Sequence, residues 1–168
     1  GFAYALYRIK TPQICVGHQY LFLHKDFQLP EQNRGSIALL NFFSRLTCIG
    51  ARKKLALSFC NMEEDKKQHI QVVPPLLRRE VFQQEISNGD YVHGYMVNSG
   101  FAENILQWHK KNPATPLRIF WDRWEESPVK KVDETLSFYQ LDDVEFLRQM
   151  GGCKAYASTA GFESICEA

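Results

Sequence analysis

Two stretches of this chain place small residues between a strand-like run and a helix-like run. They are MVNSGFAEN, residues 96–104, and STAGFESICEA, residues 158–168. The first N–H groups of a helix lack intrahelical partners and carry the positive end of its dipole, so such turns favour anions. Gly100 and Gly161 would let a ligand approach the backbone closely. Ser99 stands where a capping residue is expected, and a capped turn without a ligand also explains the first stretch. In the second, Ser164 offers a hydroxyl, and Glu163 and Glu167 lie four residues apart on one helix face. A carboxylate one turn inside a helix suits a sugar diol, because it can accept from two neighbouring hydroxyls. The plainer reading makes both glutamates exposed helix residues. Two such turns at the carboxyl ends of strands in one open sheet favour a ligand, and an anionic nucleotide fits best.

Other chemistries find less support. GxGxxG and the phosphate loop GxxxxGK[ST] are absent, which disfavours an ordinary dinucleotide or ATPase site. There is no GxSxG, no HExxH and no Ser-His-Asp order. His18 and His24 flank HQYLFLH at a spacing that fits no metal motif, and a structural role is favoured for them. Asp122, in FWDRWEE, follows a strand and could line a pocket or cap a turn. No carboxylate cluster calls for a divalent metal, and no cofactor is expected.

These residues must be positioned by strands alternating with helices of about three turns, which implies a mostly parallel sheet covered on both faces. Residues 1–10 read as helix up to Thr11-Pro12. Strands are expected at QICVG (13–17), KLALSF (54–59), HIQVVPP (69–75), YVHGYMVN, LRIFW, TLSFYQL and KAYAST. HQYLFLHKDFQLPEQNRG reads as a loop. Helices are expected from Ser36, as cap, to Gly50; from Ser99 to Asn112-Pro113; from Asp142 or Asp143 to Gly151-Gly152; and at FESICEA. SNGD, residues 87–90, is the candidate linker between two α/β units. The chain has 168 residues, 45% apolar and 23% charged, within the range of ordinary globular proteins. A net charge of +1 gives no electrostatic case for a nucleic-acid or membrane-surface partner. The five cysteines show no CxxC spacing and read as buried, reduced thiols. No apolar run is long enough to span a bilayer, and no signal peptide is visible.

Taken together, these stretches resemble MurG-like GT-B glycosyltransferases, including the bacterial UDP-N-acetylglucosamine transferases. Ser158, Ala160, Gly161, Ser164 and Glu167 resemble the SRAGALTVSE-type motif. ICVGHQY is similar to the strand ending in HEQN, VVPPLLRREV to the TGNPVRxEI segment at the domain crossover, and FYQLDDVEFL to the FIDDMxxxY segment. MVNSGFAEN resembles the loop that opens the donor domain, with one glycine where that family usually has two.

The resemblance implies an α/β fold: Rossmann-like, open, mostly parallel sheet units of a two-domain GT-B enzyme. Residues 1–86 would hold the end of the acceptor domain and the crossover, and residues 87–168 the start of the nucleotide-sugar donor domain. It implies a glycosyltransferase using a nucleotide-sugar, a UDP-sugar, with inversion and without metal. Ser99, Gly100 and the turn of Ser158, Thr159, Ala160, Gly161, Phe162, Glu163 and Ser164 would cradle diphosphate and sugar. Glu167 would hold the ribose hydroxyls, backbone near Gln140 and Leu141 would meet the uracil, and Arg78 would sit near the diphosphate. His18 and Gln19 fall on the acceptor side. Thr159 stands where the relatives carry Arg, and Phe162 and Glu163 replace small or aliphatic residues, so the donor sugar differs. The acceptor would be a glycan or lipid-linked sugar, and the enzyme would be cytoplasmic, at the inner membrane face where it takes a membrane-surface acceptor. A UDP-sugar epimerase or hydrolase of the same architecture, and a non-catalytic nucleotide-binding module, are the alternatives. Gly1 opens on helix-like sequence and Ala168 ends one, so the chain reads as an internal piece of a longer protein. The general base is expected before residue 1, the chain by itself is expected to be inactive, and the last helix is expected to fray.

Overall fold

A computed structural model describes residues 8, 11–124, 127–159 and 161–168. The expected helix at residues 1–10 lies outside the described residues except at Arg8, which is helical. The chain forms two compact units, Gly1–Leu76 and Leu77–Ala168.

In the first unit, β1 (Ile14–Val16), β2 (Lys53–Leu57) and β3 (Ile70–Val73) form a parallel sheet in sequential order. These are the short apolar runs bounded by turn residues that the sequence marks as strands. HQYLFL, expected as loop, is a 3₁₀ turn, His18–Leu23, whose Tyr20 and Leu23 enter the core with Cys48, Ala56 and Ile70. Helix α1 runs Arg34–Thr47. It does not begin at Ser36: Asn33 adopts the left-handed conformation (φ 61°), which Asn tolerates, and turns the chain into the helix before Ser36 is reached. Gly50, at φ 75°, supplies the exit turn where a side chain would be strained. Leu39, Phe42, Phe43 and Leu46 make an i, i+3, i+4, i+7 stripe, yet all four are exposed, whereas Ser44 and Cys48 are buried. The helical period is as expected, but the more polar side of α1 is the buried one, and the helix lies against the His18–Leu23 turn, with Thr47 Oγ1 3.4 Å from Tyr20 Oη.

The second unit carries β4 (Val92–Tyr95), β5 (Leu117–Trp121), β6 (Val129–Lys131), β7 (Leu136–Gln140) and β8 (Ala155–Ser158), in spatial order β6-β7-β5-β4-β8. All neighbours are parallel except β6, an antiparallel edge strand that sequence reading missed. Val129–Lys131 is exposed throughout and flanked by charge, so its alternation carries no hydrophobic signal. Helices α2 (Ala102–Lys111), α3 (Asp143–Gly151) and α4 (Phe162–Glu167) complete the unit. Period-two alternation sends Leu117, Ile119, Trp121, Leu136 and Phe138 to the core under α2, and Phe120 to the opposite core with Phe146, Leu147 and Met150 of α3.

The division falls after Leu76, ahead of the SNGD stretch. The 3₁₀ turn Arg79–Gln83 lays Val81 against the Phe146–Met150 core, and Ser87 and Gly89 donate backbone hydrogen bonds to Gly151 and Gly152 at 2.9 and 3.0 Å. All five cysteines are free thiols. Only Cys48 is buried, Cys60 is exposed and the other three are half-buried, which corrects the expectation of five buried thiols.

Candidate functional site

Strands β4, β5 and β7 are laid down outward in one direction, and β8 then returns to the other side of β4. Strand order therefore reverses between β4 and β8, and the two small-residue turns leave the carboxyl ends of just these strands. Such a crevice is where open α/β sheets bind ligands. Tyr95 and Ser158 are partners in register, so both strands end level. Thr159 N–H donates to the Tyr95 carbonyl at 3.2 Å, and the Val97 N–H donates back to Thr159 Oγ1 at 3.4 Å. The turns are thus tied by Thr159.

The first turn is capped from within the protein. Asn98, not Ser99, is the cap: its Oδ1 accepts from Gly100 N–H at 2.8 Å and its carbonyl accepts from Phe101 N–H at 3.2 Å. The chain enters as a 3₁₀ turn, Ser99–Phe101, which moves the cap one residue earlier than an α-helical start would. Ser99 N–H donates to Asp122 Oδ1 at 3.1 Å. Asp122 therefore resolves as a capping carboxylate from the end of β5, a group that the positive end of a helix stabilises. In the second turn Ala160 lies outside the described residues. Gly161 precedes α4, Ser164 is buried with its hydroxyl donating to the Gly161 carbonyl at 3.1 Å, Phe162 is half-buried and Glu163 exposed.

Arg78 and Glu167 meet across 89 residues of chain. Arg78 Nε donates to Glu167 Oε1 and Nη2 to Oε2, both at 2.6 Å, a bidentate fork in which both partners are ionised. The Glu167 side chain is 6% exposed and that of Arg78 37% exposed. Nη1 also reaches the exposed Asp143 at 3.4 Å. The hydrogen bonds that Arg78 donates to Glu167 raise its pKa above its ordinary value, against the opposing effect of desolvation. Glu163 and Glu167, equivalent on the helix face by spacing, are thus different groups: one solvated, one buried and held.

Gln140 ends β7, with its N–H donating to the Pro128 carbonyl at 3.0 Å and its Nε2 to the Trp124 carbonyl at 3.3 Å. Leu141 packs against the Phe120–Phe146 core. His18 and Gln19 belong to the first unit, in the 3₁₀ turn that follows β1. His24 is buried and structural: Nδ1 accepts from Asp26 N–H at 3.2 Å, which leaves Nε2 to donate to the Glu63 carbonyl at 2.8 Å.

Sequence reasoning missed a cavity of about 420 Å³ between α2 and the sheet, lined by Gly94, Ile105, Trp108, Ile119, Ala157 and Thr159 among others. Gly94 and Ala157, two small residues that line it, are register partners, a pairing no local pattern reveals. It also missed His93. Neither ring nitrogen has a partner among the described residues, and the ring packs among Phe120, Phe146 and Tyr156. Burial, helped by Arg118, pushes its pKa down to about 4. His109 Nε2 lies 2.9 Å from Asp133 Oδ2 near the start of β7. Two backbone N–H donors, from Thr135 and Leu136, and His109 hold the Asp133 carboxyl at about 2. Among the described residues, no group of three or more His, Cys, Asp or Glu is placed to hold a metal ion, and no helix is long and apolar enough to cross a membrane.

The model of the family described as glycosyl transferase family 1 matches residues 2–168. No curated protein and no solved structure matches the chain.

Proposed function

This chain belongs to glycosyl transferase family 1, and on that premise we propose that it transfers a hexosyl group from a UDP-sugar to a glycan or lipid-linked acceptor, with inversion and without a metal. The donor lies over the β4/β8 crevice. The Thr159-tied turns flank its diphosphate, Glu167 meets the ribose diol, Arg78 faces the diphosphate, and the backbone around Gln140 and Leu141 adjoins the base. The acceptor hydroxyl attacks the anomeric carbon, the bond from that carbon to the diphosphate oxygen breaks, and UDP departs. Stabilising the charge on that leaving group is the main task left to the protein. The acceptor's proton goes to a base that none of these residues supplies.

The observation that carries this reading is the convergence of Arg78 and Glu167. The resemblance assigns both to one ligand, and they meet although 89 residues separate them. The capped first turn refines the assignment. Ser99 and Gly100 N–H groups already have partners in Asp122 and Asn98, so an anion would gain them only by displacing a carboxylate and a carboxamide oxygen. The second turn and Arg78 therefore carry most of the diphosphate. The proposal takes the enzyme as cytoplasmic, and a lipid-linked acceptor would bring it to the inner membrane face. Isothermal titration of the chain with UDP and UDP-sugars tests the donor assignment. Saturable binding that weakens in Glu167→Gln supports it, and no heat with any of them removes it.

A further inference from the structure

Both oxygens of Glu167 are occupied by Arg78, and the carboxylate is shielded from solvent. Resting on the donor assignment above, we infer that the Arg78–Glu167 pair is a specificity device that opens by partner exchange. A ligand must replace both halves of the pair at once, so the site selects nucleoside diphosphates over nucleosides.

The chemistry of the two partners sets this rule. A diol brings neutral O–H donors to Glu167, and these lack the positive charge and the bidentate geometry of the guanidinium fork they would displace. A nucleoside alone would also leave the Arg78 guanidinium facing only Asp143, at 3.4 Å. Inorganic diphosphate matches the planar guanidinium fork as well as Glu167 does, but taking Arg78 strands a buried carboxylate without donors. A nucleoside diphosphate satisfies both groups together: diol on Glu167, phosphate oxygens on Arg78. The two halves of the ligand must then bind cooperatively, and linkage makes the effect reciprocal.

The test titrates the ¹⁵N-labelled 168-residue chain with uridine, inorganic pyrophosphate, both together, and UDP. It follows the Arg78 Nε–Hε signal, assigned by its loss in Arg78→Gln. If that variant fails to fold, Glu167→Gln assigns the signal by shifting it. Exchange predicts that saturating pyrophosphate tightens uridine about tenfold, within the usual range of couplings. It also predicts that UDP moves the Arg78 signal, and that Arg78→Gln abolishes the pyrophosphate effect on uridine. Equal uridine affinity with and without pyrophosphate overturns the exchange. Should uridine bind too weakly to titrate, an Arg78 signal unmoved at UDP saturation overturns it, and one that moves upholds it. In those cases UDP still binds and UDP-sugar remains the donor, with Arg78 withdrawn from its diphosphate where the Arg78 signal does not move. Absence of UDP binding is the separate result that removes the donor assignment and the exchange with it.

Discussion

Replacing Arg78 by Met removes the fork and leaves the Glu167 carboxylate buried without a donor. Breaking a fully buried ion pair from one side costs about 3–5 kcal/mol. Arg78 is 37% exposed, so water reaches part of the vacated space, and we expect about 2–3 kcal/mol. At roughly 4–8 °C per kcal/mol for a domain of this size, the second unit should lose about 10–20 °C in Tm. All three tryptophans, Trp108, Trp121 and Trp124, belong to that unit. Tryptophan fluorescence during thermal and urea unfolding at neutral pH therefore reports on it alone. Glu167→Met should cost less, because the stranded Arg78 can turn to water and Asp143. The double variant should recover to within about 1 kcal/mol of the native chain, since an apolar pair can replace a buried ion pair. A loss below about 1 kcal/mol in Arg78→Met would show that Glu167 is hydrated in solution. A double variant as unstable as Arg78→Met would place the damage in packing instead of stranded charge.

His93 should make the protein acid-sensitive. The unfolded chain protonates it near 6.5 and the folded chain only near 4, so the unfolded state binds more protons between those values. Stability is full above pH 6.5 and falls by about 3 kcal/mol as pH drops to 4; urea midpoints across that range should flatten in His93→Phe, and an unchanged slope would refute the assignment. Asp133 acts lower on the scale. Its carboxyl is held near 2 against an ordinary 3.8, so its contribution is present above 3.8 and is lost as pH falls toward 2. Asp133→Asn should lower Tm at neutral pH and erase the difference near pH 2, as followed by circular dichroism. Asn98→Ala removes the Gly100 cap and should cost about 1 kcal/mol, while Ser99→Ala should cost far less; reversed costs in thermal melts would restore Ser99 as the cap.

Much of the second unit was legible in the sequence because its signals are local. LRIFW and TLSFYQL are apolar-rich runs bounded by Pro116, Asp122, Glu134 and Asp142, and they became β5 and β7. Asp142 was one of two expected caps, and its Oδ1 accepts from Glu145 N–H at 2.8 Å. What escaped depends on partners distant in sequence or on exact turn geometry. Ser99 and Asn98 are both good capping residues, and only the 3₁₀ entry decides between them. The stripe on α1 was readable as a period, but which side is buried depends on contact with the Tyr20–Leu23 turn, a partner distant in sequence. Glu163 and Glu167 look alike in the sequence, and only the arrival of Arg78 at Glu167 separates them. The turns at β4 and β8 could be recognised singly, whereas their tie through Thr159 Oγ1 needed the strand order.

The most direct test of the central claim, that the β4/β8 crevice with Arg78 and Glu167 holds a nucleoside diphosphate, is isothermal titration of the 168-residue chain with UDP. The account predicts one saturable site per chain, weakened at least tenfold in Glu167→Gln while that variant's tryptophan-monitored fold is retained. No binding, or binding of equal strength in a folded Glu167→Gln, would contradict it.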